Sequence, residues 1–337
     1  MRPRRYLMLL ALASLACGAA SSSQARLHNE PARVATPRRG EARVPAYQEA
    51  SAGSAGAEQA SRNRGQEMVK VAFTVRDKKN RLVLDLAREE LRVFEDGKEQ
   101  KIEHFSPELS LPLNLGLLID LSGSQRGRMT AAAQSAAEPF FRRVLRKGDQ
   151  AFVIGFQEKA YLVSDFTDSP DDLGQAVRKS SEIKPSGGTR LFDTIEETCR
   201  QKLASKPGRK TLVIITDGED NASRMTRDEA VQAATRAGTV VYVICTLQPS
   251  DSGHFARGTV ASRYLSERSG GREFPILVER DFANAFNEIA EDLVNQYTVG
   301  YYSASPAQPG SVRRIRIQST RKDLRFFGPQ SCQASRP

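Results

Sequence analysis

The sequence predicts an α/β protein in which a doubly wound, mostly parallel sheet is inserted between flanking β-strands that form a small β-sandwich-like unit. Three observations carry this. Four short apolar runs, Leu113–Ile119, Ala151–Phe156, Leu212–Thr216 and Val240–Cys245, are β-branched and continuous enough to be strands buried on both faces. Helical stretches separate them, and such alternation closes into a parallel sheet covered on both sides. Short alternating runs lie on either side of this middle segment, at Val71, Phe73 and Val75 and again at Tyr297, Val299 and Tyr301.

From the N-terminus, residues 1–25 read as an export signal. Arg2, Arg4 and Arg5 precede an apolar stretch from Leu7 to Ala16, and small residues follow from Gly18 to Ser23. Ser14-Leu15-Ala16-Cys17 is close to a bacterial lipoprotein cleavage box, with Ser14 and Leu15 departing from it. The expectation is simple cleavage, with a lipid anchor at Cys17 as the alternative route to envelope association. Residues 26–68 carry almost no large apolar side chains and read as a disordered linker. A coil of that length reaches on the order of 35 Å. Past the N-terminus no apolar run approaches the roughly 18 residues of a membrane span.

Residues 69–110 form the first β-rich flank, with Leu91 and Val93 alternating and Asp96-Gly97 turning into a strand around Ile102. Residues 111–296 form the α/β domain. In its first helix Met129, Ala133, Ala136, Phe140 and Val144 keep helical spacing, and Pro139 predicts a kink or a late start. Ser169-Pro170 opens the next helix. Thr226 and Glu229 make a capping box on a helix that Gly238 closes. Phe282, Phe286, Ile289 and Leu293 stripe the last. Cys199 lies on the stripe Phe192, Ile195, Leu203 and Cys245 in a strand, so both read as core thiols, with one bridge among the later cysteines left open. Residues 297–328, where Ile315 and Ile317 alternate, are expected to pair with the first flank, and 329–337 is a tail.

The formal charge of +10 comes from 50 Lys and Arg against 40 Asp and Glu. It lies at the ends: residues 1–25, 26–68 and 303–337 all carry excess base, and the middle is nearly neutral. Arg313, Arg314 and Arg316 interleave with apolar residues as in a strand with one solvated face. No aromatic stacking row accompanies them, so nucleic acid is not an expected partner.

Ligands of a doubly wound sheet bind at the carboxyl ends of its strands. There the first strand runs into Asp120-Leu121-Ser122-Gly123-Ser124 and the third into Asp217-Gly218-Glu219-Asp220, with Gly187-Gly188-Thr189 between them in sequence. Carboxylates and hydroxyls without His or Cys make a hard-oxygen set suited to Mg²⁺, Mn²⁺ or Ca²⁺. Glu219 and Asp220 read as a solvated acidic turn, and Arg190 as an exposed helix-start cation.

In this set the sequence resembles the von Willebrand factor type A (VWA) family, and specifically a bacterial exported subgroup that also shows phrases like Phe94-Glu95-Asp96-Gly97 and Val299-Gly300-Tyr301-Tyr302. The family's metal-ion-dependent adhesion site uses an Asp-x-Ser-x-Ser loop, a Thr loop and an Asp-Gly loop, matched here by Asp120, Ser122, Ser124, Thr189 and Asp217. The resemblance implies a Rossmann-like fold over about 111–296 and a divalent cation, Mg²⁺ or else Mn²⁺ or Ca²⁺. It implies direct ligation by Ser122, Ser124 and Thr189, with Asp120 and Asp217 supplying charge. It further implies a protein partner, of unknown identity, presenting a carboxylate. The segment Phe326-Phe327-Gly328 departs from the expected ending and leaves the last strand open.

Two other functions compete with adhesion. One is a metal-stabilised envelope scaffold. The other, less favoured, is a metal-dependent hydrolase. A phosphatase of the haloacid-dehalogenase type wants a second Asp where Ser122 stands; no Gly-x-Ser-x-Gly elbow or phosphate-binding Walker loop occurs. His28, His104 and His254 all read as solvent-exposed and unconnected to the site. The expectation is a non-enzyme of unspecified oligomeric state.

Overall fold

The computed structural model describes residues 68–107, 110–125, 131–184, 187–246, 252–304 and 311–333. The expected signal and nearly all of the linker, Cys17, His28, Met129 and the chain end fall outside the described residues, as does the side chain of His254. Among the described residues no helix is long and apolar enough to cross a membrane.

The central sheet has six strands in the order β10-β9-β8-β5-β6-β7. They are β5 (Leu113–Asp120), β6 (Gln150–Phe156), β7 (Ala160–Thr167), β8 (Arg209–Thr216), β9 (Thr239–Thr246) and β10 (Glu273–Ile276). All pairs are parallel except β6 with β7, a hairpin that closes one edge. Every residue of β5 and β9 is buried, as the continuous apolar runs predict. Successive side chains alternate between two cores. On one face Leu115, Leu117 and Ile119 pack with helices α1 (Ala131–Val144), α2 (Pro170–Ser180) and α6 (Arg280–Val294). On the other, Leu118, Phe152 and Ile214 pack with α3 (Leu191–Thr198), α4 (Arg227–Ala237) and α5 (Ser252–Ser269). Gly116 is where Phe152 crosses the strand: a Cβ there would lie 2.4 Å from the ring.

The caps follow the sequence. Ser169 accepts from the Asp172 amide, the Thr226–Glu229 box is formed, and Gly238 takes the left-handed conformation. α1 is helical on both sides of Pro139, so the helix starts before the proline rather than at it. Pro139 and Ser135, whose carbonyl loses its helical donor, both lie on the exposed face. Cys199 and Cys245 are buried and Cys332 is half-buried; all three are free thiols, and burial pushes them up to about 12, 12 and 11. Past Thr198, α3 continues as a π-helical turn, Cys199–Leu203, that keeps Cys199 and Leu203 in the core.

The flanking strands are β1 (Val69–Asp77), β2 (Leu91–Glu95), β3 (Lys98–Gln100), β4 (Ile102–Ser106), β11 (Tyr297–Tyr301), β12 (Val312–Ser319), β13 (Leu324–Phe327) and β14 (Ser331–Gln333). They form two antiparallel sheets, β13-β1-β11-β4 and β14-β12-β2-β3, around Val71, Phe73, Val93, Val299, Tyr301 and Ile315. The α/β domain is thus inserted between β4 and β11, which are neighbours in one sheet. Three readings of the sequence change. Residues 331–333, expected as tail, are a strand paired with β12. His104 is half-buried in β4, with its Nε2 buried and unpartnered among the described residues, because the sheet rather than solvent covers it. Arg313 is buried: it lies on the same face as Ile315 and pairs with Glu95 at 3.2 Å, a carboxylate that also accepts from the Tyr301 hydroxyl at 2.9 Å.

One buried network joins the two parts. Asp292 of α6 is fully buried; its Oδ1 accepts from Arg76 Nε at 2.7 Å and its Oδ2 from Arg272 Nη1 at 3.0 Å. Thr74, like Arg76 on β1, donates its hydroxyl to the Asp292 carbonyl. Removing one member leaves uncompensated buried charge. Asp292→Ala is expected to cost about 3–5 kcal/mol, read from the denaturant midpoint at constant m-value; a loss typical of an exposed pair would show that the network is not a structural tie.

Candidate metal centre

The chain runs from β5 to β6 on one side, then returns to β8 on the other side of β5, so the strand order reverses at β5 and a crevice opens at its carboxyl end. Asp120 is the last residue of β5, and Asp217 directly follows β8, its neighbour in the sheet. Adjacent strands lie about 4.8 Å apart, which brings the two carboxylates to one place although 97 positions separate them in sequence.

Asp120 is 1% exposed. Its Oδ1 accepts from the Ser122 amide at 2.9 Å and its Oδ2 from the Thr216 hydroxyl at 2.7 Å. Ser122 and Ser124 alternate along the turn, so their hydroxyl oxygens meet at 3.0 Å. Gly218 has φ +78°, and a Cβ there would lie 2.2 Å from the Gly258 carbonyl; the Asp217-Gly218 turn therefore rests directly on α5. Asp217 Oδ1 accepts from the Glu219 amide at 3.1 Å and Oδ2 from the Gln125 amide at 2.6 Å.

Thr189 is buried and joined to the segment that follows Asp217. Its amide donates to Asn221 Oδ1 at 2.8 Å, and its carbonyl accepts from the Asn221 and Ala222 amides. Gly188 packs closely there: a Cβ would lie 2.3 Å from Asn221 Oδ1 and displace the side chain that holds the Thr189 amide. Among the described residues the Thr189 hydroxyl makes no hydrogen bond.

Two neighbouring readings are corrected. Asp220 is no solvated turn residue: its Oδ2 accepts from the Phe192 amide and the Ser223 hydroxyl, capping the start of α3. Arg190 is not exposed; it is a partly buried residue at the α3 N-cap that pairs with Asp193. Burial raises the Asp193 pKa, but the Met225 and Arg224 amides and Arg190 outweigh it and hold the group below the usual carboxylate range. Sequence reasoning missed Gln125, Thr216 and Asn221. A lone Gln has no periodic signal, but Thr216 ends an apolar strand beside Asp217, which is a readable position.

The donor set fits a hard divalent cation. Among the described residues no group of three or more His, Cys, Asp or Glu is placed to hold a metal ion. What converges is a pair of carboxylates with neutral hydroxyls. The charge balance points the same way. Burial pushes Asp120 up to about 7, against the Ser122 and Thr216 bonds and with a contribution from the Asp217 charge. No described Lys, Arg or His pairs with Asp120. A desolvated carboxylate of this kind calls for a counterion.

A family model described as von Willebrand factor type A domain matches residues 115–219, which hold all of these loops. The chain carries a von Willebrand factor type A domain. An uncharacterized protein of Synechocystis sp. is 32% identical over 112 residues, covering 33% of this chain and 26% of that protein. Inter-alpha-trypsin inhibitor heavy chain H4 of Sus scrofa is 26% identical over 127 residues, covering 35% of this chain and 14% of that one. The matched region therefore spans about a quarter or less of these relatives. The von Willebrand domain of the type V pili tip protein Mfa5 from Porphyromonas gingivalis superposes with TM-score 0.42 at 14% identity, over 55% of this chain and 95% of that one. The observed VWA architecture is the six-stranded, mostly parallel sheet with three helices on each face.

The elevated Asp120 pKa has a consequence for the cation-free protein. The group prefers its proton in the fold, so its stabilising contribution is fully present below 3.8 and is lost as pH rises through about 7. In chelator, stability measured by denaturant titration is expected to fall over that window, and Asp120→Asn to flatten the fall. A profile identical in the variant would show that Asp120 titrates normally.

Proposed function

We propose that the VWA domain is a divalent-cation-dependent protein-interaction module, and that Asp120, Ser122, Ser124, Thr189 and Asp217 hold the ion. The observation that carries this reading is the pairing of a buried, uncompensated Asp120 with the two serine hydroxyls that meet beside it. Ser122, Ser124 and Thr189 act as neutral oxygen ligands; Asp120 and Asp217 supply the compensating charge. When bound, the cation, Mg²⁺ in the first instance and Mn²⁺ or Ca²⁺ by the same chemistry, offers an electrophilic position that a carboxylate from a partner protein completes.

The chain's residues favour binding over turnover. His104 lies on β4 in the sandwich, whereas the site lies at the carboxyl ends of β5 and β8. Arg190 is engaged by Asp193, and Asp220 by the α3 cap, so neither is poised as an acid or base. We further propose the partition read from the sequence, with its last boundary extended to include β14: residues 1–25 as an export signal, 26–68 as a tether, and 69–110 with 297–333 as the platform from which the module is displayed at the cell envelope or outside it.

Calorimetric titration of the wild-type chain with Mg²⁺ and Mn²⁺ tests the ion. Binding that Asp120→Ala abolishes is the expected result, and equal binding by the variant refutes the assignment. Capture from envelope extract, with Mg²⁺ against chelator and wild type against Asp217→Ala, tests the partner. Capture that depends on the ion and on Asp217 supports adhesion; capture indifferent to both, with a melting temperature that still falls in chelator, identifies the ion as a structural brace instead.

A further inference from the structure

Gln125 ends the short 3₁₀ turn Gly123–Gln125 that follows β5, and it is 4% exposed. A side-chain amide in such a place is costly unless both its ends are bonded. Here both are. Nε2 donates to Asp217 Oδ2 at 2.6 Å, and Oε1 accepts from the Thr246 hydroxyl at 2.7 Å. Thr246 is the last residue of β9 and is itself buried. The amide is oriented with its NH₂ group toward Asp217 and its oxygen toward the Thr246 hydroxyl. The Gln125 backbone is fixed as well, its amide donating to the Ser122 carbonyl at 3.0 Å. One side chain therefore links the carboxyl ends of β5, β8 and β9, and it does so through an oxygen of Asp217.

We propose that Gln125 is a positioning residue that sets the cation affinity of this site by fixing the Asp217 carboxylate, with Thr246 orienting Gln125 in turn. The inference rests on the proposed cation-binding role of Asp217. A neutral amide suits the task where Lys or Arg would not. It directs the carboxylate without cancelling its charge, and each carboxylate oxygen, having two lone pairs, keeps acceptor capacity after one hydrogen bond. Asp120 is handled in the same manner, its oxygens held by the Ser122 amide and the Thr216 hydroxyl. The two acids are thus directed by neutral donors, as outer-shell partners direct the groups of a metal site.

The test is Mn²⁺ titration by calorimetry on the full chain, comparing wild type, Gln125→Leu, Gln125→Glu, Thr246→Val and the Gln125→Leu/Thr246→Val double variant, each checked for folding by circular dichroism in chelator. Gln125→Leu leaves an apolar side chain one atom shorter and removes the bonds; it is expected to weaken Mn²⁺ binding by about 10- to 100-fold. Thr246→Val is expected to weaken it less, and to add nothing in the Gln125→Leu background, because both changes act through the same amide. That non-additivity is the readout a merely structural role would not produce. Gln125→Leu binding Mn²⁺ as tightly as wild type, or the two losses multiplying, overturns the proposal while leaving the site intact. Should Gln125→Leu not fold, Thr246→Val and Gln125→Glu decide: wild-type affinity in both overturns it, altered affinity in both supports it. Absence of Mn²⁺ binding by the wild-type chain overturns the reading of the site itself and this inference with it.

Discussion

Burying the Asp120 carboxylate at the end of a central strand imposes a condition that the surrounding loops meet piece by piece. A charge withdrawn from water is tolerated only where donors replace its hydration, and here Thr216 from β8 and the Ser122 amide do so. Those two bonds already dictate much of the local backbone. The Ser122 bond curls the chain after β5 so that Ser122 and Ser124 bring their hydroxyls together. The Thr216 bond ties the ends of β5 and β8, and the same hydroxyl accepts from the Gly218 amide, shaping the turn that carries Asp217. The next segment then reaches across to Thr189 and caps α3. Asp120 is thus the point from which three loops take their register.

The flanking strands matter to that arrangement because of where the chain crosses between the two parts. It leaves the sandwich from β4 and returns to it at β11, two strands that are hydrogen-bonded neighbours. Arg76 and Thr74 of β1 grip α6 at Asp292, and Gly328 donates its amide to Gly270 at the end of α5. These contacts gather at the termini of helices and the amino-terminal side of the sheet, whereas the carboxylates and hydroxyls lie at the opposite ends of the strands. An insertion held in this way has a rigid base, since Asp292 and its two guanidinium partners cannot part without exposing a bare charge in a dry interior.

Much of this is legible in the sequence, for identifiable reasons. β5, β8 and β9 are continuous apolar runs, and only strands buried on both faces have that pattern, so the polar residues that end them stand out. Ser169, Thr226 and Gly238 announce helix ends because capping is local. What escapes is long-range pairing. Arg313 follows the alternation that puts it with Ile315 and Ile317, yet an arginine there reads as solvated until Glu95, over 200 positions away, is seen to meet it. Arg190 and Asp220 likewise look like surface charges until Asp193 and the α3 amides are found against them. Gln125 carries no pattern at all; its meaning exists only in the fold, where it stands between Asp217 and Thr246.

The charge distribution gains a sharper sense from these pairings. A surplus of ten positive charges invites a polyanion as partner, but three of the described basic residues near the chain end have partners within the sandwich. Arg313 is buried against Glu95, and Arg321 binds Asp85 and Glu90. Arg316 stacks over Phe94, its guanidinium 4.8 Å from the ring centre. These three guanidinium groups are held by carboxylates and a ring of the sandwich, whereas Arg314, Lys322 and Arg325 are exposed. The electrostatic feature with functional reach is instead negative and local: two aspartates at neighbouring strand ends, one of them without a cationic partner among the described residues, in a domain whose net charge is close to zero. On the proposed reading, two carboxyl groups at neighbouring strand ends suit a small multivalent cation better than an extended polyanion.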